Sequence, residues 1–220
     1  MKEIDGRWTG PRIISFSSAL FDSDDPCLSP DGRRIYFTTH RPAGFMNFNF
    51  EEKIMYVERK ENGWSSPKSV GQEINSMFRH WQVSVNRNYD VYFCAERKVD
   101  KPGLYVSRHV DGRYQSPERL PDEINSGNSA FPCIAPDDSY IIFARELKDT
   151  AWDLFVSFKD SHGRWTEARS LGDGINSPYN DLCPNLTPDG RYLFFLSQRQ
   201  GGSYAFWVSA KIIEKMRPTE

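Results

Sequence analysis

The sequence PCLSPDGRRIYF at residues 26–37 has three further counterparts in the chain, at residues 82–93, 132–143 and 184–195. Successive copies are offset by 56, 50 and 52 residues. In each copy a short apolar stretch is followed by a turn and then by an alternating aromatic and β-branched stretch. A period near fifty residues, made of short strands and turns, is typical of a β-propeller. The repeats therefore predict an all-β propeller with four blades.

The residues at the centre of each copy predict a hairpin turn. Residues 29–32 read SPDG, in which proline presets its φ and glycine accepts a left-handed conformation. The fourth copy keeps TPDG at residues 187–190, and the third has APDD at 135–138. The second has VNRN at 85–88, where asparagine tolerates positive φ. We expect a hairpin in all four copies, with cross-strand packing holding the register where the turn is weak.

A second repeated phrase predicts the remaining strands of each blade. We align the third strands as IMYV, LYVS, LFVS and FWVS, at residues 54–57, 104–107, 154–157 and 206–209. After the first three comes a turn with an aromatic residue, which opens a fourth strand. Pro67 and Pro117 lie in these fourth strands, and proline is tolerated at a sheet edge. Each blade is therefore predicted to have four antiparallel strands.

The last copy has no fourth strand after it, but the start of the chain resembles one. Residues 6–11 (GRWTGP) match residues 62–67 (NGWSSP) in spacing. We predict that segment 6–14 completes the last blade, so that residues 1–220 form one closed propeller domain with a short tail at 211–220. The alternative is that residues 1–18 are the remnant of a further blade. The chain would then be a fragment of a five-bladed propeller, with an open or dimerising ring.

Composition limits the classes of partner. The chain has 220 residues, 14% aromatic residues and a formal net charge of −2, which argues against a general nucleic-acid grip. No apolar stretch is long enough to span a membrane, and the first residues lack the apolar segment of a secretory signal. We expect no membrane insertion, a monomer if the ring is closed, and a cytoplasmic location as written. The location is periplasmic or secreted if a leader has been removed.

The cysteine and histidine spacings predict no metal or cofactor. Cys27 and Cys133 occupy the same repeat position in different blades, and the chain has no C-x-x-C pair. Free buried thiols are the favoured state. The histidines are scattered, and the chain has no phosphate-binding loop, dinucleotide fingerprint or Gly-x-Ser-x-Gly elbow. We therefore expect no cofactor.

Three features carry a resemblance to a known family. They are the SPDGR turn followed by IYF, the EINS segments at 73–76 and 123–126, and the ending FWVSAKIIEK at 206–215. Together they resemble the TolB-like, WD-repeat-like β-propeller proteins of bacteria. The resemblance covers almost the whole chain and implies a propeller fold. It also implies a binding or scaffolding role, often in exported proteins.

The candidate site is the rim formed by the loops that lead into the innermost strands, since concave sites gather at the channel mouth. The predicted ligand-binding residues of this rim are Asp24, Asp25, Arg79, His80, Trp81, Phe131 and Asp181. Mixed charges and aromatic faces suit a protein, peptide or glycan. The alternative is that these side chains cap strand ends and bond channel waters.

A second ring of candidates follows the second strands. Arg41, Arg97 and Arg199 each lie four residues after the last aromatic of their repeat. Their guanidinium groups could hold a carboxylate or phosphate. A residue repeated in most blades more often bonds a neighbouring loop, so the structural role is favoured here.

The sequence favours non-catalytic recognition at the rim over catalysis. The alternative is a carbohydrate-active hydrolase or lyase in which Asp24, Asp181 and His80 act at the channel mouth. A third interpretation is a structural ring that assembles with copies of itself through an open edge. The fold does not decide among them, because propellers support all three roles.

Overall fold

The computed structural model describes residues 3–42, 51–96, 102–147 and 151–218. Four antiparallel sheets follow one another along the chain and are arranged as a β-propeller. The predicted fold class is confirmed. Across the described residues, no helix has the length and apolar character needed to cross a bilayer.

The elements follow the repeats closely. A short hairpin comes first, formed by β1 (Glu3–Ile4) and β2 (Arg7–Trp8). Blade 1 contains β3 (Asp24–Leu28), β4 (Arg34–Thr39), β5 (Lys53–Lys60), β6 (Gly63–Trp64) and β7 (Lys68–Ser69), followed by helix α1 (Gln72–Asn75). Blade 2 and its appended hairpin contain β8 (Phe78–Val85), β9 (Val91–Glu96), β10 (Gly103–Ser107), β11 (His109–Val110), β12 (Arg113–Tyr114) and β13 (Glu118–Arg119), followed by helix α2 (Asp122–Asn125).

The second half of the chain repeats the pattern. Blade 3 contains β14 (Ser129–Ile134), β15 (Tyr140–Glu146), β16 (Trp152–Phe158) and β17 (Arg169–Ser170). Blade 4 contains β18 (Asp181–Leu186), β19 (Tyr192–Ser197) and β20 (Tyr204–Ser209), followed by helix α3 (Lys211–Glu214).

The predicted turns are present, with one local difference. Gly32, Asp138 and Gly190 have positive φ in the turns of blades 1, 3 and 4. In blade 2 the left-handed residue is Tyr89 rather than Asn88. The Asn86 side chain explains the shift, because its Oδ1 accepts the backbone N–H groups of Asn88 and Asp90, each at 3.0 Å. The hairpin closes between Asn86 and Asp90, so this turn is one residue shorter than the Ser29–Arg34 turn of blade 1.

The core consists of apolar layers between neighbouring blades. Successive residues of a strand point to opposite faces, so Tyr92 packs toward blade 3 while Phe93 packs toward blade 1. The layer between blades 1 and 2 includes Tyr36, Ile54, Val83, Phe93 and Tyr105. The layer between blades 2 and 3 includes Tyr92, Leu104, Ile134, Ile141 and Phe143. The layer between blades 3 and 4 includes Ile142, Leu154, Val156, Leu193 and Phe195.

An asparagine clamp explains the repeated Ile-Asn-Ser segments. Buried Asn75, Asn125 and Asn176 each hold the first apolar residue of a third strand. In the second clamp, Asn125 Oδ1 accepts the Leu104 N–H at 2.8 Å and Nδ2 donates to the Leu104 carbonyl at 3.0 Å. Asn75 and Asn176 form the same pair of bonds with Ile54 and Leu154. Each clamp therefore bonds the loop that leaves a blade to the third strand of the same blade.

The predicted closure by segment 6–14 is not observed. Strand β2 pairs with β1, with Trp8 opposite Glu3. In the part of the chain that the structure describes, blade 4 has three strands rather than four, and β20 pairs with β19. The chain just after the segment is held elsewhere: the Phe16 ring stacks on Phe37 at 5.1 Å, and Arg41 Nη2 donates to the Phe16 carbonyl at 3.0 Å. Phe16 thus packs on the outward face of blade 1, which we define by Phe37, Met55 and Val57.

Candidate functional site

The four innermost strands share a backbone irregularity at the predicted rim. Each shifts register by a bulge close to its start, in β3, β8, β14 and β18. The residues with positive φ in these bulges include Asp25, Gln82, Phe131 and Cys183. Left-handed backbone at bulky residues is strained and is concentrated at functional sites. Bulges also re-aim side chains, so the rim is shaped by a feature that the sequence did not predict.

Gln82 fills the centre of the propeller below this rim. Its Nε2 donates to the Pro184 carbonyl of blade 4 at 2.9 Å, and its backbone N–H donates to Asp25 Oδ2 of blade 1 at 2.9 Å. The cavity left among the innermost strands has a volume of only about 60 Å³. A ligand larger than a few waters therefore has its place at the rim rather than inside the channel.

An apolar cleft lies on the rim between blades 2, 3 and 4. It has a volume of about 340 Å³, within the range of ligand pockets. We call it the rim cleft; its lining residues are Trp81, Cys94, Pro102, Asn128, Ala130, Phe131, Trp152, Asn180 and Leu182. The Phe131 and Trp152 rings meet edge to face, with centroids 6.0 Å apart. The cleft thus brings together two predicted residues, Trp81 and Phe131, with a third aromatic side chain.

The polar groups of the rim cleft hold its own loops. Asn180 Oδ1 accepts the Trp152 N–H at 3.1 Å, and its Nδ2 donates to Gln198 Oε1 at 2.9 Å. Asn128 Nδ2 donates to Glu146 Oε2 at 2.9 Å. At the floor, burial raises the pKa of the Cys94 thiol to about 12, so this group is uncharged at neutral pH. The surface offered to a ligand is mainly aromatic and aliphatic.

His80 is placed in the interior rather than on the rim. Its side chain is fully buried, with Nδ1 at 3.0 Å from the Glu52 carbonyl and Nε2 at 3.1 Å from the Ile74 carbonyl. Burial lowers the pKa of the imidazole. The ring therefore joins blade 1 to the start of β8, and a substrate at the rim does not meet it.

Stability is expected to fall when the pH drops below about 6.5, the usual pKa of histidine. The pKa of His80 is lower in the folded state, so as the pH falls the unfolded chain binds a proton at this residue before the folded protein does. The contribution of neutral His80 to the free energy of unfolding is therefore complete above about pH 6.5 and is lost as the pH falls below it. The test compares urea midpoints at about pH 7.5 and about pH 5.5. His80→Gln is expected to narrow the difference between the two urea midpoints. His162→Gln should leave that difference unchanged, because His162 lies on an exposed turn. An unchanged difference in His80→Gln contradicts the assignment.

Asp181 is also interior. Its side chain is 0% exposed, its Oδ1 lies 3.0 Å from Arg199 Nη2, and its Oδ2 accepts the Ser177 N–H at 2.6 Å. Asp24 and Arg79, by contrast, are exposed, and both lie at the starts of innermost strands rather than in the loops before them. Asp25 is half-buried and accepts the Gln82 N–H. The other six predicted rim residues separate into cleft-lining aromatics, exposed charges and buried polar groups.

The second-ring arginines bond loops. Arg199 donates to the Ile175 carbonyl and lies over the Phe206 ring at 4.8 Å. Arg41 bonds the Phe16 carbonyl, as described above, and faces the Phe21 ring at 5.9 Å. Arg97 lies outside the described residues. The two described members support chain segments of their own blades, in line with the structural role that the repetition favoured.

Trp152 is the cleft residue that the sequence did not single out. It begins β16 and pairs with Glu146 at the rim end of β15. The signal available was an aromatic residue two positions before the repeated LFVS phrase at residues 154–157. Among the described residues, no group of three or more His, Cys, Asp or Glu side chains is placed to hold a metal ion.

Comparison with known proteins supports the fold. No protein-family model and no curated protein matches the sequence. TolB of Acinetobacter baumannii superposes with a TM-score of 0.56 at 15% identity, covering 85% of this chain and 40% of TolB. These similarities support a TolB-like propeller fold.

Two further solved structures show the same architecture. A TolB-type protein of Agrobacterium tumefaciens has a TM-score of 0.56 at 17% identity, with 87% of this chain and 58% of that chain covered. A gluconolactonase of Xanthomonas campestris has a TM-score of 0.52 at 14% identity, with 94% and 60% covered. The chain thus spans less than two thirds of each of these proteins. At such identities the likeness concerns the fold, and it includes both a TolB protein and an enzyme.

Proposed function

We propose that this propeller is a non-catalytic binding module that recognises a protein or peptide through an apolar side chain seated in the rim cleft. The observation that supports it is the convergence of Trp81, Phe131 and Trp152 around one cleft of about 340 Å³. Clustered aromatic side chains in a desolvated pocket provide much of the binding free energy at protein interfaces. The cleft is largely formed without a ligand, which reduces the ordering cost.

A peptide fits this chemistry better than a glycan. Sugar hydroxyls need several hydrogen-bonding partners, and the two asparagines of the cleft already bond Glu146, Gln198 and the Trp152 backbone. The hydrolase alternative also loses support. His80 and Asp181 have fully buried side chains, and Asp181 is paired with Arg199. Asp24 is exposed, but the two residues expected to act with it, His80 and Asp181, are not at the surface.

The test is a titration followed by tryptophan fluorescence. The probes are amidated hexapeptides that differ only at one central position, occupied by Trp, Phe, Leu, Pro, Ala or Ser, together with cellohexaose and chitohexaose. We expect saturable binding for the large apolar residues and none for Ala, Ser or the sugars. Saturable sugar binding without peptide binding, or release of shorter sugars, overturns the proposal.

Substitutions in the cleft should weaken peptide binding. Trp81→Ala and Trp152→Ala each remove an aromatic wall, and we expect each to raise the Kd about tenfold or more, which corresponds to about 1.4 kcal/mol or more. Val110→Ala is the control, because Val110 is an exposed apolar residue on the appended hairpin of blade 2 and does not line the cleft. An equal loss in all three variants would point to a general defect rather than to the cleft.

A further inference from the structure

Segment 6–14 has the sequence of an outer strand. Its residues GRWTGPRII align without a gap with GRWTEARSL at residues 163–171. In the second of these, Arg169–Ser170 form β17, and the Leu171 N–H donates to the Leu154 carbonyl at 2.9 Å while its side chain is buried. Ile14 is the counterpart of Leu171, and Arg12 is the counterpart of Arg169.

In the structure, segment 6–14 does not form the outer strand that its sequence resembles. Ile13 is 91% exposed and Ile14 is 38% exposed, although the counterparts of Ile14 in blades 1 to 3 are core residues. Those counterparts are Val70, Leu120 and Leu171. The contacts of Phe16 hold the chain just after the segment on the outward face of blade 1, and residues 10–14 are exposed. An apolar strand sequence is thus presented to solvent beside blade 1.

Blade 4 lacks the strand that this segment resembles. Phe206 pairs with Phe195 as Phe155 pairs with Phe143, so Phe206 and Trp207 are the counterparts of Phe155 and Val156. In blade 3 those two residues pair with β17, whereas in the described residues β20 has β19 as its strand partner. Such an edge is a template for pairing with another strand.

The same blade exposes an apolar surface. The outward face of blade 4 is turned away from blade 3 and consists of Tyr192, Phe194, Leu196 and Trp207. Trp207 is 61% exposed. At the equivalent position on blades 2 and 3, Val106 and Val156 are buried by the next blade. An exposed apolar face of this kind marks a contact surface.

We propose that β20 and the outward face of blade 4 bind segment 6–14 and the outward face of blade 1 of a second copy of this chain. The segment supplies the missing strand, with Arg12 opposite Trp207 and Ile14 packed where Leu171 packs in blade 3. The donor is a second copy because Phe16, two residues after the segment, is held on the outward face of blade 1. That face does not pack against blade 4 of the same chain in the apolar clusters of the described residues. The junction repeats the packing between blades 3 and 4.

Solution mass tests the junction in the full chain. We expect an assembly of two or more copies by light scattering, with a mass that depends on concentration. Ile14→Glu places a charge at the packed position, and we expect association to weaken at least about tenfold. Ile13→Glu is the matched control, because its counterpart Ser170 is exposed in blade 3, and it should leave the mass unchanged. A monomer at every concentration overturns the proposal, as does equal loss in both variants.

Crosslinking tests the register. Chains carrying Arg12→Cys are mixed with chains carrying Trp207→Cys, and both substituted positions are exposed. We expect a mixed disulfide dimer to form several times faster than with Ala205→Cys, which is two residues out of register. If the double variant Arg12→Cys/Trp207→Cys instead crosslinks within a single dilute chain, the segment closes its own blade and the proposal fails.

Discussion

Replacement of Asp181 by alanine is expected to lower the free energy of unfolding by roughly 2–4 kcal/mol. The carboxylate is 0% exposed and faces Arg199, whose side chain is 27% exposed. Its removal leaves a partly buried guanidinium without its counter-charge and the Ser177 N–H without its acceptor. The Ser177 hydroxyl keeps the Tyr179 carbonyl, at 3.4 Å, as an acceptor. The partial exposure of Arg199 places the loss toward the lower part of the range for broken buried pairs. Urea unfolding at neutral pH measures it.

A matched variant separates this effect from a change of charge alone. Asp24→Ala also removes one carboxylate from the rim, at the start of β3, but Asp24 is exposed, so we expect a change within about 0.5 kcal/mol. The double variant Asp181→Ala/Arg199→Met is expected to recover part of the loss, because the unpaired cation is then gone. Equal stabilities of Asp181→Ala and the unsubstituted chain would show that the pair contributes nothing.

This expectation also affects how activity measurements are interpreted. Asp181 was a candidate catalytic carboxylate, and a loss of function in its variants reports chemistry only if the protein remains folded. The free energy of unfolding of a domain is typically about 5–15 kcal/mol. A loss of roughly 2–4 kcal/mol therefore lowers the folded fraction mainly when the unsubstituted protein lies near the lower end of that range. Unfolding curves therefore have to accompany every assay of an Asp181 variant.

The blade count was predictable because each hairpin carries its own turn chemistry and its own alternating strand. The register of the last strand was not. The sequence alignment matched Phe206 with Leu154, whereas the ladder makes Phe206 the counterpart of Phe155. The stretch Tyr-Ala-Phe-Trp-Val at 204–208 has no alternation of polar and apolar residues, so the pattern does not fix the register. A shift of one residue moves every side chain to the other face.

Part of the rim cleft could be anticipated in the same way. Trp81 and Phe131 lie at one repeat position, directly before the repeated segments 82–93 and 132–143, so the repeat alone brings them to one mouth. Trp152 enters the cleft from a third strand, and its approach depends on how blade 3 packs on its neighbours. Burial of His80 was not predictable either, since two backbone carbonyls bind its ring and a sequence does not display them.

Loss of an asparagine clamp is the second large effect that we expect. In Asn125→Ala the buried Leu104 N–H loses its acceptor, and the Leu120 carbonyl loses the amide donor that lies at 2.6 Å. The Leu104 carbonyl keeps the Leu120 N–H at 2.9 Å, so two groups rather than three are left without partners. At roughly 1–3 kcal/mol for each buried group left unpaired, the free energy of unfolding should fall by about 2–4 kcal/mol.

The clamp has a built-in control three residues away. Asn128 has the same side chain on an exposed position, where its amide bonds Glu146, and Asn128→Ala should change stability by no more than about 0.5 kcal/mol. The difference in the free energy of unfolding between the two variants separates the effect of burial from that of losing an asparagine side chain. If Asn125→Ala is as stable as Asn128→Ala, water replaces the clamp, and the repeated Ile-Asn-Ser segments need another explanation. If the predicted loss is found, the same substitution at Asn75 and Asn176 should also destabilise, but by less, because their third bond goes to the Ser69 or Ser170 hydroxyl rather than to a carbonyl.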